Sequence, residues 1–296
     1  MGPVLVGVMG PTASGKTDLA EQIAETLDAI LINADAFQIY RGMDIGTAKP
    51  TDRSRYTLLD IRDPDQSFGV GEWVQLAHRI LQDSWASSRN AVVVGGTGLN
   101  IRALFEQYSG MMGAPDPSLR NNLNARLEQE GLSNLVEELR SLDAEAFQTV
   151  DIANPVRVIR AIERAKGSND RVRAELPPYR RVKLALEIPT DEINARIESR
   201  VNVMVQNGWS LEIQRLRDEG YGPKDPGFRA IGYRSMEEVA QGGKDLNEAI
   251  AETVLETRRY AKRQRTWLRS EPNLLRLDAS SGSEPYRQAM HFLAMD

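Results

Sequence analysis

Uninterrupted runs of apolar residues alternate along this chain with segments whose apolar residues recur every three or four positions. The runs at residues 4–9, 29–33 and 91–94 are short and aliphatic, a pattern typical of strands that are buried on both faces. Residues 17–27 and 70–85 have the helical spacing, and a further short strand is predicted at residues 57–61. This alternation predicts an α/β fold with a doubly wound parallel sheet.

The pattern changes after residue 111, where it becomes helical only. Helices are predicted at residues 117–129, 132–141, 143–150 and 155–165. A strand pattern returns at residues 182–188, and helices follow at residues 190–206, 211–218 and 246–269. We therefore expect an all-helical insertion domain at residues 113–179 and a catalytic core with carboxyl-terminal helices at residues 1–112 and 180–296.

A glycine-rich loop joins the first predicted strand to the first predicted helix. Residues 10–17 read GPTASGKT, which matches the P-loop pattern GxxxxGK[ST]. In such a loop the backbone N–H groups and the positive end of the helix dipole face a phosphate, Lys16 lies along the outer phosphates and Thr17 holds Mg²⁺. The strand before the loop and the helix after it fit a P-loop better than a simple glycine turn. We therefore predict that the core is a P-loop fold that binds a polyphosphate.

Two polar residues follow other predicted strands. Asp35 comes directly after the strand at residues 29–33, and Thr97 lies in the sequence GGTG after the strand at residues 91–94. Because doubly wound sheets bind ligands at the carboxyl ends of their strands, we expect Asp35, Thr97 and Lys16 to share one cleft. The position of Asp35 fits a general base, a ligand of Mg²⁺-bound water or a plain turn cap, and does not choose among them.

The composition limits the class of protein. The 296 residues carry a net charge of −5, include no cysteine and are 41% hydrophobic, which is ordinary for a globular enzyme. The absence of cysteine excludes disulfides and thiolate metal sites. No apolar stretch approaches the roughly 20 residues of a membrane span, and the N-terminus lacks the basic region of a signal peptide. We expect a cytoplasmic monomer without membrane association.

Basic residues are concentrated in two parts of this acidic chain. Residues 154–183 contain nine basic and three acidic residues. In the last long predicted helix, cations recur at helical spacing along one stripe, and they are Arg258, Lys262, Arg265 and Arg269. A stripe of one sign repels itself unless a partner neutralises it, so these clusters favour a nucleic-acid surface over an ordinary solvated face.

Longer motifs carry a family resemblance. The chain reads IYRGMDIGTAKP at residues 39–50, GGTGL at 95–99, NPVRVIRA at 154–161, AIGYR at 230–234 and AKRQ followed by TW within 261–267. Together with GPTASGKT, these blocks resemble the bacterial tRNA dimethylallyltransferases, and they extend from residue 10 to residue 269. The resemblance implies transfer of a dimethylallyl group from dimethylallyl diphosphate to N6 of adenosine 37, beside the anticodon of tRNA, with Mg²⁺ as cofactor.

The same resemblance implies roles for individual residues. Asp35 is then the base for the adenine amino group, Thr97 a cleft hydroxyl near the adenosine, and Lys16 a catalytic residue on the leaving group. The implied diphosphate-binding residues are Gly10, Thr12, Ala13, Ser14, Gly15, Lys16, Thr17 and Arg196, with Thr17 also the metal ligand. The implied tRNA-binding residues are Asp35, Ala36, Phe37, Gln38, Thr97, Arg120, Val156, Arg157, Val158, Ile159, Arg160, Arg229, Arg234, Lys262 and Arg265. Departures from the family pattern are Ala36, Asn100 and Val156, where serine, tyrosine and glutamine are usual.

Three other functions compete with this interpretation. A P-loop kinase for a small hydroxyl compound, with Asp35 as base, leaves the basic stripe unexplained. An adenylate isopentenyltransferase acting on free AMP or ADP needs neither basic cluster. A non-catalytic RNA-binding protein explains the clusters but not the convergence of Lys16, Thr17 and Asp35.

Overall fold

A computed structural model describes residues 2–106, 116–167 and 176–294. The strands in these ranges are β1 (Val4–Met9), β2 (Ile30–Asn33), β3 (Tyr56–Thr57), β4 (Ala91–Val94), β5 (Arg180–Glu187) and β6 (Leu274–Asp278). The helices are α1 (Lys16–Thr26), α2 (Val70–Ala86), α3 (Gly98–Phe105), α4 (Pro117–Glu130), α5 (Leu132–Leu142), α6 (Ala144–Thr149), α7 (Pro155–Lys166), α8 (Thr190–Gln206), α9 (Trp209–Asp218), α10 (Tyr233–Ala240), α11 (Leu246–Arg269) and α12 (Pro285–Ala294). None of these helices, within the described ranges, is long and apolar enough to cross a bilayer.

The strands form one parallel sheet, in the order β3-β2-β4-β1-β5-β6. In the middle of the sheet, Val6 of β1 pairs with Val92 of β4 and Val182 of β5. All residues of β1 are buried, as expected for a parallel strand that is covered on both sides. The predicted parallel sheet is thus confirmed. It brings the carboxyl ends of β1, β2 and β4 to neighbouring positions on one edge.

Alternate residues of β1 enter two separate cores. Val4, Val6 and Val8 pack in a core with residues of α1, α8, α11 and α12. Leu5 and Met9 point the other way and pack in a core with residues of α2 and α3. Helices therefore cover both faces of the sheet, which leaves its carboxyl edge as the place where loops and ligands can meet.

The chain divides into two compact units, Met1–Gln107 with Glu175–Asp296 and Tyr108–Ala174. The described part of the second unit consists of α4, α5, α6 and α7. Leu123, Leu139 and Ile162 are buried in its own hydrophobic core. Asn154 caps α7, since its side chain accepts hydrogen bonds from two backbone N–H groups of the first turn.

Several elements differ from the sequence-based expectation. The strand predicted at residues 57–61 is shorter, because Leu58 and Asp60 have φ angles of 62° and 53°, which interrupt an extended strand. The pattern did not predict α3, α10, α12 or β6. These elements have only five to ten residues, too few for a period to be recognised.

Candidate active site

The loop at residues 10–17 leaves β1 in a tight turn and leads directly into α1. Gly15 has a φ of 82° and Ala13 a φ of 61°, so both adopt the left-handed conformation that glycine accepts without strain. At Gly10, a Cβ atom would lie only 2.5 Å from Ser14 Oγ. The Ser14 hydroxyl itself is buried and has no hydrogen-bond partner among the described residues. The loop is therefore tightly curled, and the hydroxyl inside it has no hydrogen-bond partner among the described residues.

A cavity of about 290 Å³ opens beside this loop. Its walls come from the loop, the ends of β2 and β4, Tyr56 of β3, one face of α8, one face of α11 and the segments at residues 46–50 and 229–231. The charged residues that line it are Lys16, Asp35, Arg200, Arg229 and Arg263. Four cations against one carboxylate make the cavity a favourable place for an anion.

Lys16 and Arg200 are both buried cations in the cavity, and Arg200 repels Lys16. The pKa of Lys16 is lowered from 10.5 to about 8, first by burial and then by repulsion from Arg200, against the attraction of Asp35. Burial also lowers the pKa of Arg200, which Asp35 and Asp18 oppose. Two cations in a poorly hydrated space are costly. An anion bound beside both would remove this cost.

Asp35 is held at the end of β2 by a network of backbone contacts. Its Oδ1 accepts a hydrogen bond from Phe37 N at 2.9 Å, and its own N–H donates to Asn33 Oδ1 at 3.0 Å. Asn33 is buried and donates in turn to Leu58 O at 3.0 Å, while Trp73 Nε1 donates to the Asn33 carbonyl at 2.8 Å. The Asp35 carboxylate is therefore fixed at the cavity wall.

Gln264 of α11 connects the two loops at the carboxyl edge. Its Oε1 accepts a hydrogen bond from Thr12 N at 2.8 Å, and its Nε2 donates to Gly96 O at 2.9 Å. One turn earlier, the pKa of Tyr260 is raised to about 12 by burial and by the negative charge of Asp35, against the hydrogen bonds of Thr97 and Gln264. Thr97 is absent from the described cavity lining, but its side chain is hydrogen-bonded to Tyr260, which lines the cavity. The structure thus places it beside the cavity.

Arg196 lies outside the cavity. It pairs with Glu192 and donates to Ala279 O at 3.2 Å. Among the described residues that line the cavity, the arginine of α8 is Arg200, one turn further on. The position of Arg196 therefore does not support its sequence-based assignment to the diphosphate, and the arginine of α8 that lines the cavity is Arg200.

Other residues of the first unit that were predicted to bind tRNA fall into two groups. Phe37, Gln38 and Arg229 line the cavity. Arg234 lines a second groove, which shares Arg229 with the cavity. The remaining residues lie outside the described cavity lining, and they are Ala36, which is half-buried, Lys262, which is exposed, and Arg265, which donates to Thr190 Oγ1.

In the second unit, most of the predicted tRNA-binding side chains are engaged within the unit. Val158 and Ile159 are buried in its core, so their side chains are not exposed, and the prediction that these positions bind tRNA stays a prediction. Arg120 makes a bidentate pair with Glu163 at 2.6 and 2.7 Å. The more exposed residues are Val156, Arg157, which pairs with Asp151 at 3.3 Å, and Arg160, which pairs with Glu163 at 3.2 Å.

The two basic clusters are less uniform than the sequence suggests. Arg258 of the α11 stripe pairs with Glu198 of α8 at 2.8 Å, so part of the repulsion is relieved within the protein. Lys183, which belongs to the other cluster, is buried in β5 and contacts Glu106 and Glu271. Charge counted along the sequence therefore overestimates the basic surface.

Arg200, Tyr260 and Gln264 were not predicted as site residues. Their positions in the helical spacing nevertheless indicate them. On α8, Arg200 lies between the buried Ile197 and Val201, on the stripe that is otherwise apolar. On α11, Tyr260 and Gln264 share a stripe with Thr253, opposite to the basic stripe. A polar residue on the buried face of an amphipathic helix marks a site that faces an interior cavity.

Comparison with known proteins gives a consistent result. A family model described as IPP transferase matches residues 38–271. The tRNA dimethylallyltransferase of Salinispora tropica is 37% identical over 97% of this chain and 91% of its own length. That of Syntrophobacter fumaroxidans is 38% identical over 94% of this chain and 84% of its own length.

Solved structures agree with the sequence comparison. The full-length tRNA isopentenylpyrophosphate transferase of Bacillus halodurans is 34% identical, with a TM-score of 0.72 over 98% of this chain and 95% of that one. A eukaryotic dimethylallyltransferase acting on tRNA shares the fold, with a TM-score of 0.81 at 19% identity over 99% of this chain and 80% of that one. The resemblance drawn from the motifs is confirmed, and the chain belongs to the IPP transferase family.

Proposed function

We propose that this protein transfers a dimethylallyl group from dimethylallyl diphosphate to N6 of adenosine 37 in tRNA, giving N6-isopentenyladenosine. The observation that carries the proposal is the cavity in which Lys16, Arg200 and Asp35 interact electrostatically. The two cations suit a diphosphate, and the carboxylate suits the adenine amino group. Relatives named tRNA dimethylallyltransferase support the same chemistry.

The loop at residues 10–17 is the proposed P-loop that holds the diphosphate. Lys16 and Thr17 line the cavity, and the curled backbone supplies N–H donors. We propose the buried Ser14 hydroxyl, which lacks a partner within the described residues, as a further donor to a phosphate oxygen. Thr12 N is already used by Gln264, so we assign the phosphate contacts to the later part of the loop.

The donor set fits Mg²⁺ held together with the substrate. The described residues contain no group of three or more His, Cys, Asp or Glu side chains that could hold a metal by themselves. Mg²⁺ commonly keeps several waters and binds through substrate phosphates with few protein ligands. Thr17, whose hydroxyl-bearing side chain lines the cavity, would hold the ion with the diphosphate. When bound, Mg²⁺ neutralises charge on the leaving group.

The transfer breaks the bond between C1 of the allylic group and the diphosphate oxygen, and forms a bond between C1 and N6 of adenine. The oxygen leaves with the electron pair, and Lys16 and Arg200 stabilise the charge that develops on it. N6 loses a proton as the new bond forms, and Asp35 accepts that proton. The hydrogen bond from Phe37 N holds the carboxylate in position for this step.

The adenosine has to leave its base stack to reach the cavity, at a cost of a few kcal/mol. Contacts with tRNA phosphates offset this cost. In the first unit, Arg229, Arg234 and Lys262 are exposed and suited to this role. In the second unit, the exposed candidates are Arg157 and Arg160, which retain only ion pairs of 3.2 to 3.3 Å.

Incubation of the protein with labelled dimethylallyl diphosphate and either tRNA or AMP tests the proposed function. We expect label in tRNA, at N6 of adenosine 37, and none in AMP. Label in AMP alone would identify an adenylate isopentenyltransferase. Protection against heat by ATP, but not by dimethylallyl diphosphate, would favour a kinase.

The affinity for dimethylallyl diphosphate should fall as the pH rises through the pKa of Lys16. That pKa is about 8 in the free protein. A bound diphosphate stabilises the charged form and raises the pKa, so binding takes up a proton above about pH 8. We expect Kd to increase about tenfold between about pH 7 and pH 9, measured by calorimetry in buffers of different ionisation enthalpy. The Lys16→Arg variant does not titrate in this range and should lose the dependence; a Kd of the unmodified protein that stays constant would contradict the assignment.

Exposed cations should contribute to tRNA affinity through phosphate contacts. Replacing Lys262 or Arg157 by alanine should lower the slope of log affinity for tRNA against log salt concentration by about one unit. It should weaken the binding of all substrate tRNAs to a similar extent. The measurement is tRNA affinity against salt concentration. Arg287 of α12 is also exposed but lines neither the cavity nor the groove beside it, so Arg287→Ala is the matched control. Equal slopes in all three variants and the unmodified protein would show that these residues are only solvated.

A further inference from the structure

One face of α8 forms a continuous wall of the cavity. Ile197, Arg200, Val201 and Met204 all line it, at a spacing that places them on one side of the helix. Ile197 and Val201 are buried, and Met204 is half-buried. The wall is therefore charged at Arg200 and otherwise apolar, and it ends at Met204.

Helices α8 and α11 run antiparallel along this wall. Two side-chain contacts fix their register: Arg265 donates to Thr190, and Arg258 pairs with Glu198. Extending this register along both helices places Met204 level with residues 251–252, next to Thr253. Both residues line the cavity. Because Gln264, at the other end of α11, contacts the loop at residues 10–17, Met204 and Thr253 lie at the end of the cavity remote from that loop.

The space behind Thr253 is already filled. The Thr253 hydroxyl donates to Ala249 O in its own helix at 2.8 Å, so its proton is not available to a ligand. A Cβ atom at Gly232 would lie 2.9 Å from Thr253 Cγ2 and would overlap the ring of Trp209, which is fully buried. The backbone of Gly232 and the Trp209 ring thus pack against this end of the cavity.

We infer that Met204 and Thr253 form an end wall that restricts the transferred group to a single isoprene unit. The inference rests on the proposed function, because it takes the diphosphate to lie beside Lys16 and Arg200. From Arg200 to Met204 the helix rises about 6 Å, a length that accommodates one isoprene unit with its four carbons in line. A second isoprene unit, as in geranyl diphosphate, would overlap the Met204 side chain. Met204 and Thr253 are therefore specificity-determining residues for prenyl length.

The test compares dimethylallyl diphosphate with geranyl diphosphate as donors to tRNA. In Met204→Ala, we expect the ratio of kcat/KM for the geranyl donor to that for the dimethylallyl donor to rise about tenfold or more. Met204→Leu keeps most of the volume and should keep the ratio of the unmodified protein. The neighbouring Val203 is exposed and does not line the cavity, so Val203→Ala is the matched control and should not change the ratio.

A second, smaller substitution tests the inference even if Met204→Ala does not fold. Thr253→Ser removes only the methyl group and keeps the hydrogen bond to Ala249 O, and it should also raise the ratio, though by less. An unchanged ratio in both Met204→Ala and Thr253→Ser, or an equal rise in Val203→Ala, would overturn the inference.

Failure of the proposed function can be told apart from failure of the end wall. If the unmodified protein transfers no label to tRNA, the proposed function is wrong. Equilibrium binding of the two diphosphates, measured by calorimetry, then still decides the inference. If Met204→Ala binds geranyl diphosphate more tightly and dimethylallyl diphosphate with unchanged affinity, the end wall is supported. Unchanged relative affinities for the two diphosphates refute it.

Discussion

Replacing Asp35 by asparagine should lower the rate of prenyl transfer about 10²- to 10⁴-fold while tRNA still binds. Asparagine retains an oxygen that can accept the hydrogen bond from Phe37 N, so the local structure has little reason to change. It cannot accept the proton that N6 loses as the carbon–nitrogen bond forms. The measurement is a single-turnover rate at saturating tRNA, which separates the chemical step from product release.

Asp18 provides the matched control for this prediction. Its carboxylate, like that of Asp35, attracts Arg200, but it does not line the cavity. Asp18→Asn should therefore alter the electrostatic field without removing the proton acceptor, and only a small loss of rate is expected. Similar losses in the two variants would indicate that Asp35 acts through the field alone, and an undiminished rate in Asp35→Asn would remove it from the mechanism.

The parts of the site on the sheet edge could be predicted from the sequence. Lys16 and Asp35 each follow a short aliphatic strand, and parallel pairing brings the ends of such strands together whatever the rest of the chain does. The insertion of helices and the return of the chain to the sheet at β5 were also visible, because the hydrophobic period changes twice. These features depend on local pattern and on one topological rule.

The site residues that lie on helices could not be assigned from the sequence, because their positions depend on contacts between residues that are far apart in the chain. Arg120 and Glu163 are far apart in sequence, and only the folded second unit shows that they pair. Val158 and Ile159 lie within a motif of the family resemblance, yet the packing of α7 turns both into the core. A motif identifies a segment as important, whereas the helical phase decides which of its side chains are available to a ligand.

Arg196 and Arg200 lie one turn apart on α8, and of the two only Arg200 lines the cavity. Replacing Arg200 by alanine should slow prenyl transfer about 10²- to 10³-fold, because it removes one cation from the leaving diphosphate. Lys16→Ala should cause a loss of similar size. Arg196→Ala is the matched control, since it removes the same side chain one turn away, where it pairs with Glu192 outside the cavity. The measurement is the single-turnover rate together with the Kd for dimethylallyl diphosphate, and a larger loss in Arg196→Ala would restore the sequence-based assignment.

A second readout of Arg200→Ala separates a direct role from a disturbance of the fold. Repulsion from Arg200 is one of the causes that lower the pKa of Lys16, whereas Asp35 raises it. Without Arg200 the pKa of Lys16 should therefore increase, and the pH at which diphosphate affinity begins to fall should move upward from about 8. A protein that is merely destabilised would bind less tightly at every pH, with no upward shift. An upward shift in Arg200→Ala, absent in Arg196→Ala, would place Arg200 beside Lys16 at the charged end of the cavity, where we propose that the leaving group lies.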